Sequence, residues 1–435
     1  MLRNFKFTKY LPGLGWKPFI VTIDPSYQGK QDGSLAGMIP IEASIHRTGL
    51  FQPIKALESQ LRNLGSTRNG TGPVQGQSGM RNEAAGGVRN TRAYSILRRL
   101  REGFRTDGDY FGWIVPGIAA GEKTIRSHEI SVIFSSSPPV SSHLIASYLK
   151  KRHGIPWVMD LRDPWVEAAT GNRCLKAIHR LLEGRCVASS DRTVVNNDYV
   201  KILFEKKYGR NVLQKISVIM NGFDPEDFQG TPNEDGVAKR SEKTIFSHVG
   251  EFYEGKRTPI CFLQAMANLL NRDVVPRERI EIRLIGAGEY ADSNEFVDFM
   301  NNSPDLADVI VLKPRLPHGE SIREMLNADV LLLFQNHEDL RYQIPAKLFE
   351  YARTNALIMA FCPEGATRQV VMAHELGMVV DPADIGEIET AILRALGSPH
   401  EERKRRNTEM YSRPAQAAQL AEILDSLTAG RGKGK

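Results

Sequence analysis

The fold class is decided by residues 330–361, which read VLLLFQNHEDLRYQIPAKLFEYARTNALIMAF. Two short aliphatic runs, 330–333 and 357–361, enclose a polar loop and a helix-like segment. Parallel strands need such crossover connections, because the chain has to return to the same end of the sheet before the next strand begins. The same rhythm of strand, turn and helix recurs along the chain. It predicts an α/β protein whose parallel sheets are covered by helices.

The 435 residues are enough for two domains, and the predicted strands fall into two groups. In the first half we expect strands at 18–23, 131–134, 157–160, 193–196 and 217–219. In the second half we expect them at 244–249, 281–285, 309–312, 330–333, 357–361 and 378–380. The pattern predicts two Rossmann-like domains, at 1–229 and 244–398, joined by a polar linker at 230–243 and followed by a helical segment with a basic tail at 399–435. Residues 65–90 carry almost nothing to bury and are expected to form a mobile insertion.

Composition and charge exclude several classes of protein. The net charge of +6 suits an anionic ligand or an anionic membrane surface, but there is no zinc-finger spacing or basic arm typical of nucleic-acid binding. The four cysteines form no C-x-x-C pair, so neither a metal site nor a disulfide framework is expected. No apolar run reaches the ~20 residues of a membrane span. We expect a cytoplasmic protein with at most peripheral membrane contact.

The segment IPAKLFEYA, residues 344–352, is the most informative for function. Proline suits the start of a helix, and Lys347 and Glu350 then lie one turn apart on the same side. An ammonium near a helix N-terminus favours a diphosphate, whereas a carboxylate accepts hydrogen bonds from ribose hydroxyls. The alternative is an ordinary solvent-facing pair of opposite charges.

Two glycine-containing loops after strands could support such a site. The first, VGEFYEGKR at 249–257, contains Gly250, Lys256 and Arg257, which could clamp a diphosphate or form only a solvated basic turn. The second contains Gly286 and Gly288, where a ligand could approach the backbone closely or the chain could simply turn. It lacks the third glycine of a dinucleotide fingerprint.

Polar groups also follow two strands in the first half. Ser136 and Ser137 could bind an oxygen-rich ligand or only cap the next helix. Asp160, Arg162 and Asp163 follow the next strand, with Trp165 beside them as a candidate stacking platform for a sugar ring. The alternative is an internal ion pair that holds the turn.

Taken in order, the segments SSPP, GIPWVMDLRDPW, VIMNGFDPEDF, HVGEFYEGKR, IRLIGAGE and IPAKLFEYA resemble bacterial glycosyltransferases of family four, particularly capsule, exopolysaccharide and O-antigen transferases. The resemblance covers nearly the whole chain. It implies a GT-B fold, two Rossmann-like domains facing each other across a cleft. It also implies retaining transfer of a sugar from a nucleotide-sugar donor to a lipid-linked or oligosaccharide acceptor, without a metal or another cofactor.

The resemblance also implies residue roles, position by position. It assigns the donor to Gly250, Lys256, Arg257, Gly286, Gly288, Lys347 and Glu350. It assigns the acceptor side to Ser136, Ser137, Asp160, Asn221 and Gly222, and catalysis to Asp163, Arg162 and Lys347. The basic residues expected to meet anionic lipid are Arg98, Arg99, Arg101, Lys201, Lys206, Lys207 and Arg210.

Two departures from the family pattern keep other functions open. A glutamate that many members carry eight residues before the one matched by Glu350 is replaced by Tyr342. Compared with this subgroup, the sequence also starts inside the first helix. Either the start is misassigned or truncated, or the protein lacks a central strand and the acceptor-facing loop, which would expose backbone edges and apolar surface in the first sheet. The alternatives are a GT-B nucleotide-sugar epimerase and an inactive binding partner.

Overall fold

The computed structural model describes residues 2–27, 43–51, 110–168, 173–230, 242–397 and 406–429. The chain forms two compact units. The first consists of Met1–Val195, Phe204–Ser217 and Leu420–Lys435, and the second of Asn196–Leu203 and Val218–Gln419. Residues 218–229 therefore group with the second unit, which differs from the predicted boundary at 229. The predicted insertion at 65–90 and most of the predicted linker lie outside the described residues.

The first unit is built on two parallel sheets. Its strands are β1 (Phe19–Ile23), β2 (Ser44–Thr48), β3 (Ile133–Ser137), β4 (Trp157–Leu161), β5 (Arg192–Val195) and β6 (Ile216–Val218). Its helices are α1 (Leu2–Tyr10), α2 (Ile114–Ser127), α3 (Ser141–His153), α4 (Trp165–Ala168) and α5 (Arg173–Ser189). The larger sheet has the order β3-β4-β5-β6, and β1 pairs in parallel with β2. Helix α6 (Asp198–Tyr208) follows β5 along the chain.

The second unit contains one six-stranded sheet. Its strands are β7 (Thr244–Val249), β8 (Ile280–Ile285), β9 (Ile310–Lys313), β10 (Val330–Phe334), β11 (Leu357–Phe361) and β12 (Met378–Val380). The helices along this half of the chain are α7 (Ile260–Asn271), α8 (Asn294–Asn301), α9 (His318–Leu326), α10 (Lys347–Arg353), α11 (Ala366–Ala373), α12 (Ile385–Leu396) and, at its end, α13 (Arg413–Thr428). The strand order is β12-β11-β10-β7-β8-β9, with every recorded pair parallel.

The central strand β10 shows why an uninterrupted aliphatic run belongs inside a parallel sheet. Val330, Leu332 and Phe334 join the core on one face, and Leu331 and Leu333 join the core on the other. Side chains alternate between faces along a strand, so a strand covered by helices on both sides has to be apolar at every position. The α/β prediction for residues 330–361 is confirmed.

All eleven predicted strands are present, but strand β2 was not predicted from the sequence. Its sequence, SIHRT, contains one aliphatic residue, Ile45, and none of its five residues is buried. A strand that is not buried on both faces leaves no apolar run in the sequence, so it gave no signal.

The first unit contains one groove beside strands β1 and β3. Within the described residues, β1 and β3 each pair with a single strand, β2 and β4 respectively. A groove of about 1910 Å³ is lined by β1, β3, α1 and α2. Ile20 and Phe134 remain only half-buried there, whereas β4, which has two partner strands, is buried throughout.

Candidate functional site

In the sheet of the second unit, the order in which the chain adds strands reverses between β7 and β10. From β7 the chain adds β8 and β9 on one side, and from β10 it adds β11 and β12 on the other. In open parallel sheets, ligands bind beyond the carboxyl ends of the strands at such a switch point, because the loops there diverge and leave a crevice. The loops after β7 and β10 carry Arg257 and Lys347, so the topology brings these two predicted donor residues to the same edge.

Arg257 is the most enclosed cation of this edge. Its Nη2 donates a hydrogen bond to Oε1 of Gln335 at 2.8 Å, and its guanidinium lies 5.3 Å from the ring centre of Tyr253. Burial lowers the pKa of Arg257, and its Nε has no acceptor among the described residues. A buried guanidinium with a donor left over is suited to binding an anion.

Lys256, next to Arg257, has a different environment. Its Nζ lies 2.7 Å from Oδ2 of Asp339, and both side chains are about half exposed. An exposed pair of this kind contributes little to stability. Of the two predicted basic residues in the loop, Arg257 is therefore the better placed for a ligand.

Lys347 and Glu350 meet at the start of α10. Nζ of Lys347 lies 2.8 Å from Oε2 of Glu350, and the glutamate side chain is only 9% exposed. No described group donates a well-aligned hydrogen bond to that oxygen. The contact is thus an ion pair in which the carboxylate keeps acceptor capacity. This geometry differs from the alternative of a solvated surface pair, since Glu350 is buried.

His318, at the start of α9, belongs to the same neighbourhood and was not predicted. Its Nε2 lies 3.1 Å from Oδ2 of Asp227. The hydrogen bond that His318 donates to Asp227 raises the pKa of the histidine above its usual value, and burial opposes this. The charge of Glu350 adds to the increase in pKa, and that of Lys347 counteracts it. A histidine following Pro317 at a helix start was the only signal for it in the sequence.

The three predicted glycines allow the strand-end loops to pack closely. The Gly250 amide donates a hydrogen bond to the carbonyl of Ile285 at 3.0 Å. A Cβ on Gly286 would lie 2.3 Å from the Gly250 carbonyl oxygen, and Gly286 has φ +90°. Gly288 has φ +46° and begins a 3₁₀ turn. Glycine is thus required at 286 by both conformation and space.

A second unpredicted histidine, His248, lies in β7 beneath the Gly250 loop. Its Nδ1 lies 2.8 Å from the carbonyl oxygen of Leu332, which can only accept, so Nδ1 carries the proton. Burial lowers the pKa of His248 to about 3, so the ring is neutral. Its Nε2 therefore presents a lone pair, which has no partner in the described part of the chain.

In the first unit, Ser136 and Asp160 come together in a buried ion-pair network. Ser136 Oγ donates to Oδ2 of Asp160 at 2.6 Å, and Nη2 of Arg3 lies 3.0 Å from Oδ1. Both charged side chains are about 1% exposed. The neighbouring Ser137 is buried as well. Arg3, in α1, was missed because it is 157 residues away from its partner in sequence.

Arg162 and Asp163 follow β4 and are only partly buried. Burial raises the pKa of Asp163, and the charge of Arg162 opposes that rise. The expectation for Trp165 was wrong: it is 2% exposed, and its Nε1 donates to Nδ1 of His179 at 2.8 Å. Trp165 packs in the core, where it cannot serve as a platform for a sugar ring.

Asn221 and Gly222 lie in the second unit. A Cβ on Gly222 would lie 1.8 Å from the carbonyl oxygen of Tyr411. Phe223 forms two backbone hydrogen bonds in this region: its amide donates to the carbonyl of Tyr411, and its carbonyl accepts from the amide of Arg413. Glycine is therefore required at 222 for close packing of two backbone segments.

Comparison with known proteins supports the fold. No family model and no curated protein sequence matches the chain. Among solved structures, sucrose-phosphate synthase from Thermosynechococcus elongatus has a TM-score of 0.62 at 14% identity, covering 98% of this chain and 92% of that one. A glycosyltransferase from Rickettsia africae has a TM-score of 0.62 at 13% identity, covering 98% and 94%. Anabaena HepE, solved with UDP and glucose, has a TM-score of 0.60 at 14% identity, covering 98% and 95%.

These similarities define the class of fold. The chain has the two-domain, Rossmann-like GT-B fold found in glycosyltransferases. At identities of 13–14%, the likeness concerns the fold alone. In the part of the chain that the structure describes, none of the helices has the length and apolar character needed to cross a bilayer.

Proposed function

We propose that this chain is a glycosyltransferase that uses a nucleotide-sugar donor. The observation that carries the proposal is that the loops after β7 and β10, at the switch point of the second sheet, carry Arg257 and the ion pair of Lys347 with Glu350. The charges of Arg257 and Lys347 both act on His248. Nε of Arg257 is a buried donor without an acceptor in the described part of the chain, and Oε2 of Glu350 accepts no well-aligned hydrogen bond there. Cations beside a hydroxyl acceptor suit a ligand that carries both a diphosphate and a ribose.

In this proposal each residue has a chemical role. Arg257 and Lys347 hold the diphosphate, and Glu350 accepts hydrogen bonds from the ribose hydroxyls. The negative charge on the diphosphate grows as the bond to the sugar breaks. Preorganised cations in a partly buried site stabilise that charge in the transition state more than in the ground state. Lys256 and the loops at Gly250, Gly286 and Gly288 complete the donor side.

The acceptor side of the proposal rests on the resemblance to family four. It assigns Ser136, Ser137, Asp160, Asn221 and Gly222 to the acceptor, and Arg162 and Asp163 to catalysis. A carboxyl whose pKa is raised by burial, as for Asp163, is closer to a protonation change near neutral pH than an exposed one. This supports Asp163 over the ion-paired Asp160 as a proton-transferring group.

The finer features of the proposed reaction follow the same resemblance. The transfer retains anomeric configuration, needs no metal or other cofactor, and delivers the sugar to a lipid-linked or oligosaccharide acceptor in surface-polysaccharide synthesis. It takes place in the cytoplasm, with peripheral contact at the inner face of the membrane.

A thermal-shift series with UDP-, GDP-, ADP- and CMP-sugars tests the donor assignment. A ligand that binds only the folded state stabilises it by about 2.7 kcal/mol at a hundredfold excess over Kd. We expect one nucleotide class to raise Tm. A well-folded sample that responds to none of them contradicts the proposal. Conversion of a bound nucleotide sugar without an acceptor indicates an epimerase, and binding without any turnover indicates an inactive partner.

A further inference from the structure

Among the described residues, helix α5 of the first unit packs against the protein through one side. His179, Glu183, Cys186 and Val187 form its buried face. Glu183 accepts hydrogen bonds from the Val166 amide and from Lys207 and Tyr208. His179 pairs with Trp165. These fully buried contacts fix which side of the helix faces outward.

The outward side of α5 is apolar. Cys174, Ala177, Ile178 and Leu181 are all exposed, and they follow the i, i+3, i+4, i+7 spacing of a single helix stripe. Ile178 is 43% exposed and Leu181 is 54% exposed. At 3.6 residues per turn, this stripe lies opposite the buried face. The helix therefore carries apolar side chains on both its buried and its exposed side. We call residues 174, 177, 178 and 181 the outer stripe.

Every exposed charge on α5 is positive. The exposed basic residues are Arg173, Lys176, Arg180 and Arg185. The only acidic residue of the helix, Glu183, is fully buried. None of the four basic side chains makes an ion pair within the described residues. At 3.6 residues per turn, Arg173 and Arg180 flank the outer stripe on one side and Arg185 lies in line with it, whereas Lys176 projects on the side of the buried face.

We infer that the outer stripe and its basic flank form a docking surface for an anionic lipid bilayer. Charge complementarity identifies the occupant. An apolar stripe flanked by basic residues matches the boundary between acyl chains and anionic headgroups, with the stripe inserted and the cations at the phosphates. A second copy of this surface would place cations against cations, which opposes self-association.

The surface differs from the one expected from the sequence. Arg98, Arg99 and Arg101 lie outside the described residues. Lys207 is engaged with Glu183 and Glu167. Arg210 is paired with Glu205 at 3.3 Å. The unpaired cations of α5 are therefore better placed to meet lipid than those of α6. This inference names the surface for the proposed contact with the membrane. It rests on α5 and does not depend on the donor site.

Co-sedimentation with vesicles tests the inference. Purified full-length chain is mixed with vesicles of phosphatidylcholine alone, or of phosphatidylcholine with phosphatidylglycerol. We expect binding to the anionic vesicles only, weakening as salt is raised because the charges are exposed. Arg173→Glu with Arg180→Glu, and separately Ile178→Ser with Leu181→Ser, should each weaken binding about tenfold or more.

Matched controls use exposed residues elsewhere. Met372→Ser with Leu393→Ser removes apolar side chains that are 61% and 40% exposed. Arg279→Glu with Arg394→Glu reverses two exposed charges. The controls should bind as the parent does. All variants should keep the parent Tm and any thermal shift with nucleotide sugars, which separates this test from that of the proposed function.

Three results overturn the inference. The first is no binding of the parent chain to anionic vesicles. The second is equal loss of binding in the α5 variants and the controls. The third is light scattering that shows a dimer abolished by the Ile178/Leu181 variant, with vesicle binding unchanged. That result assigns the outer stripe to a second copy of the chain.

Discussion

Nζ of Lys347 and Oε2 of Glu350 lie 2.8 Å apart across the first turn of α10, yet that carboxylate oxygen accepts no well-aligned hydrogen bond from a described group. A buried carboxylate costs free energy unless its lone pairs are satisfied. A ligand with hydroxyl groups can supply the missing donors. The geometry of the pair therefore supports the proposed donor site.

Glu350→Gln should weaken nucleotide-sugar binding about tenfold or more, because hydrogen bonds to charged groups contribute about 1.5–3 kcal/mol and a neutral amide forms weaker ones. Isothermal titration calorimetry with the nucleotide sugar identified by thermal shift measures the change. Glu364→Gln is the matched control, since that glutamate is 80% exposed and pairs with Arg368. An unchanged Kd for the Glu350 variant removes its assignment to the ribose.

Replacing Lys347 and Arg257 together with methionine should reduce kcat/KM about a hundredfold or more, because in the proposed reaction both cations stabilise the developing charge of the leaving group. The loss of Tm should be small by comparison, since methionine keeps much of the packing of the long side chains. Lys123→Met with Arg394→Met is the control at exposed positions. If activity and unfolding free energy fall in proportion, the two residues are structural.

Asp160→Asn should lower the free energy of unfolding by about 3 kcal/mol, because it leaves the buried Arg3 without its anionic partner. Urea denaturation measures the loss. Asp163→Asn is the informative comparison: we expect it to reduce turnover with little effect on stability, since burial already favours the uncharged form of Asp163. If Asp160→Asn leaves stability unchanged, the pair with Arg3 does not support the fold.

The sequence predicts what depends on local pattern and leaves out what depends on distant contacts. Strand β10 was predictable because burial on both faces requires an aliphatic residue at every position. Strand β2 was not, since it is nowhere buried. Glycine, lysine and arginine in strand-end loops favour anions, so the sequence predicts a donor site there, and the assignment of its residues stays a prediction. Arg3 and His318 were missed because their partners, Asp160 and Asp227, are 157 and 91 residues away.

Trp165 shows a second limit of sequence analysis. A tryptophan beside charged residues at a strand end is equally compatible with a binding platform and with the core. The choice depends on whether the ring nitrogen finds a buried acceptor, and here His179 provides one. The outer stripe of α5 was likewise not predicted, because a helical pattern in the sequence does not show which of two apolar sides is covered.

The ion pair between His318 and Asp227 should make part of the stability depend on pH. Asp227 raises the pKa of His318 above its value in the unfolded chain, about 6.5. A group whose pKa is raised by folding contributes stability below its unfolded pKa, and this contribution is lost as pH rises through the folded pKa. Asp227→Asn should therefore destabilise the protein more at about pH 5.5 than at about pH 9. His318 is 44% exposed, so the difference should stay below about 1 kcal/mol.

Urea denaturation at the two pH values checks this expectation, with Asp305→Asn as the control. Asp305 pairs with Arg277 at 2.9 Å, and a guanidinium does not titrate in this range, so the effect of the control variant should be the same at both pH values. Glu350 and Lys347 also act on His318, with opposite signs. A pH-independent effect of Asp227→Asn means that the hydrogen bond, rather than the charge of His318, carries the contribution.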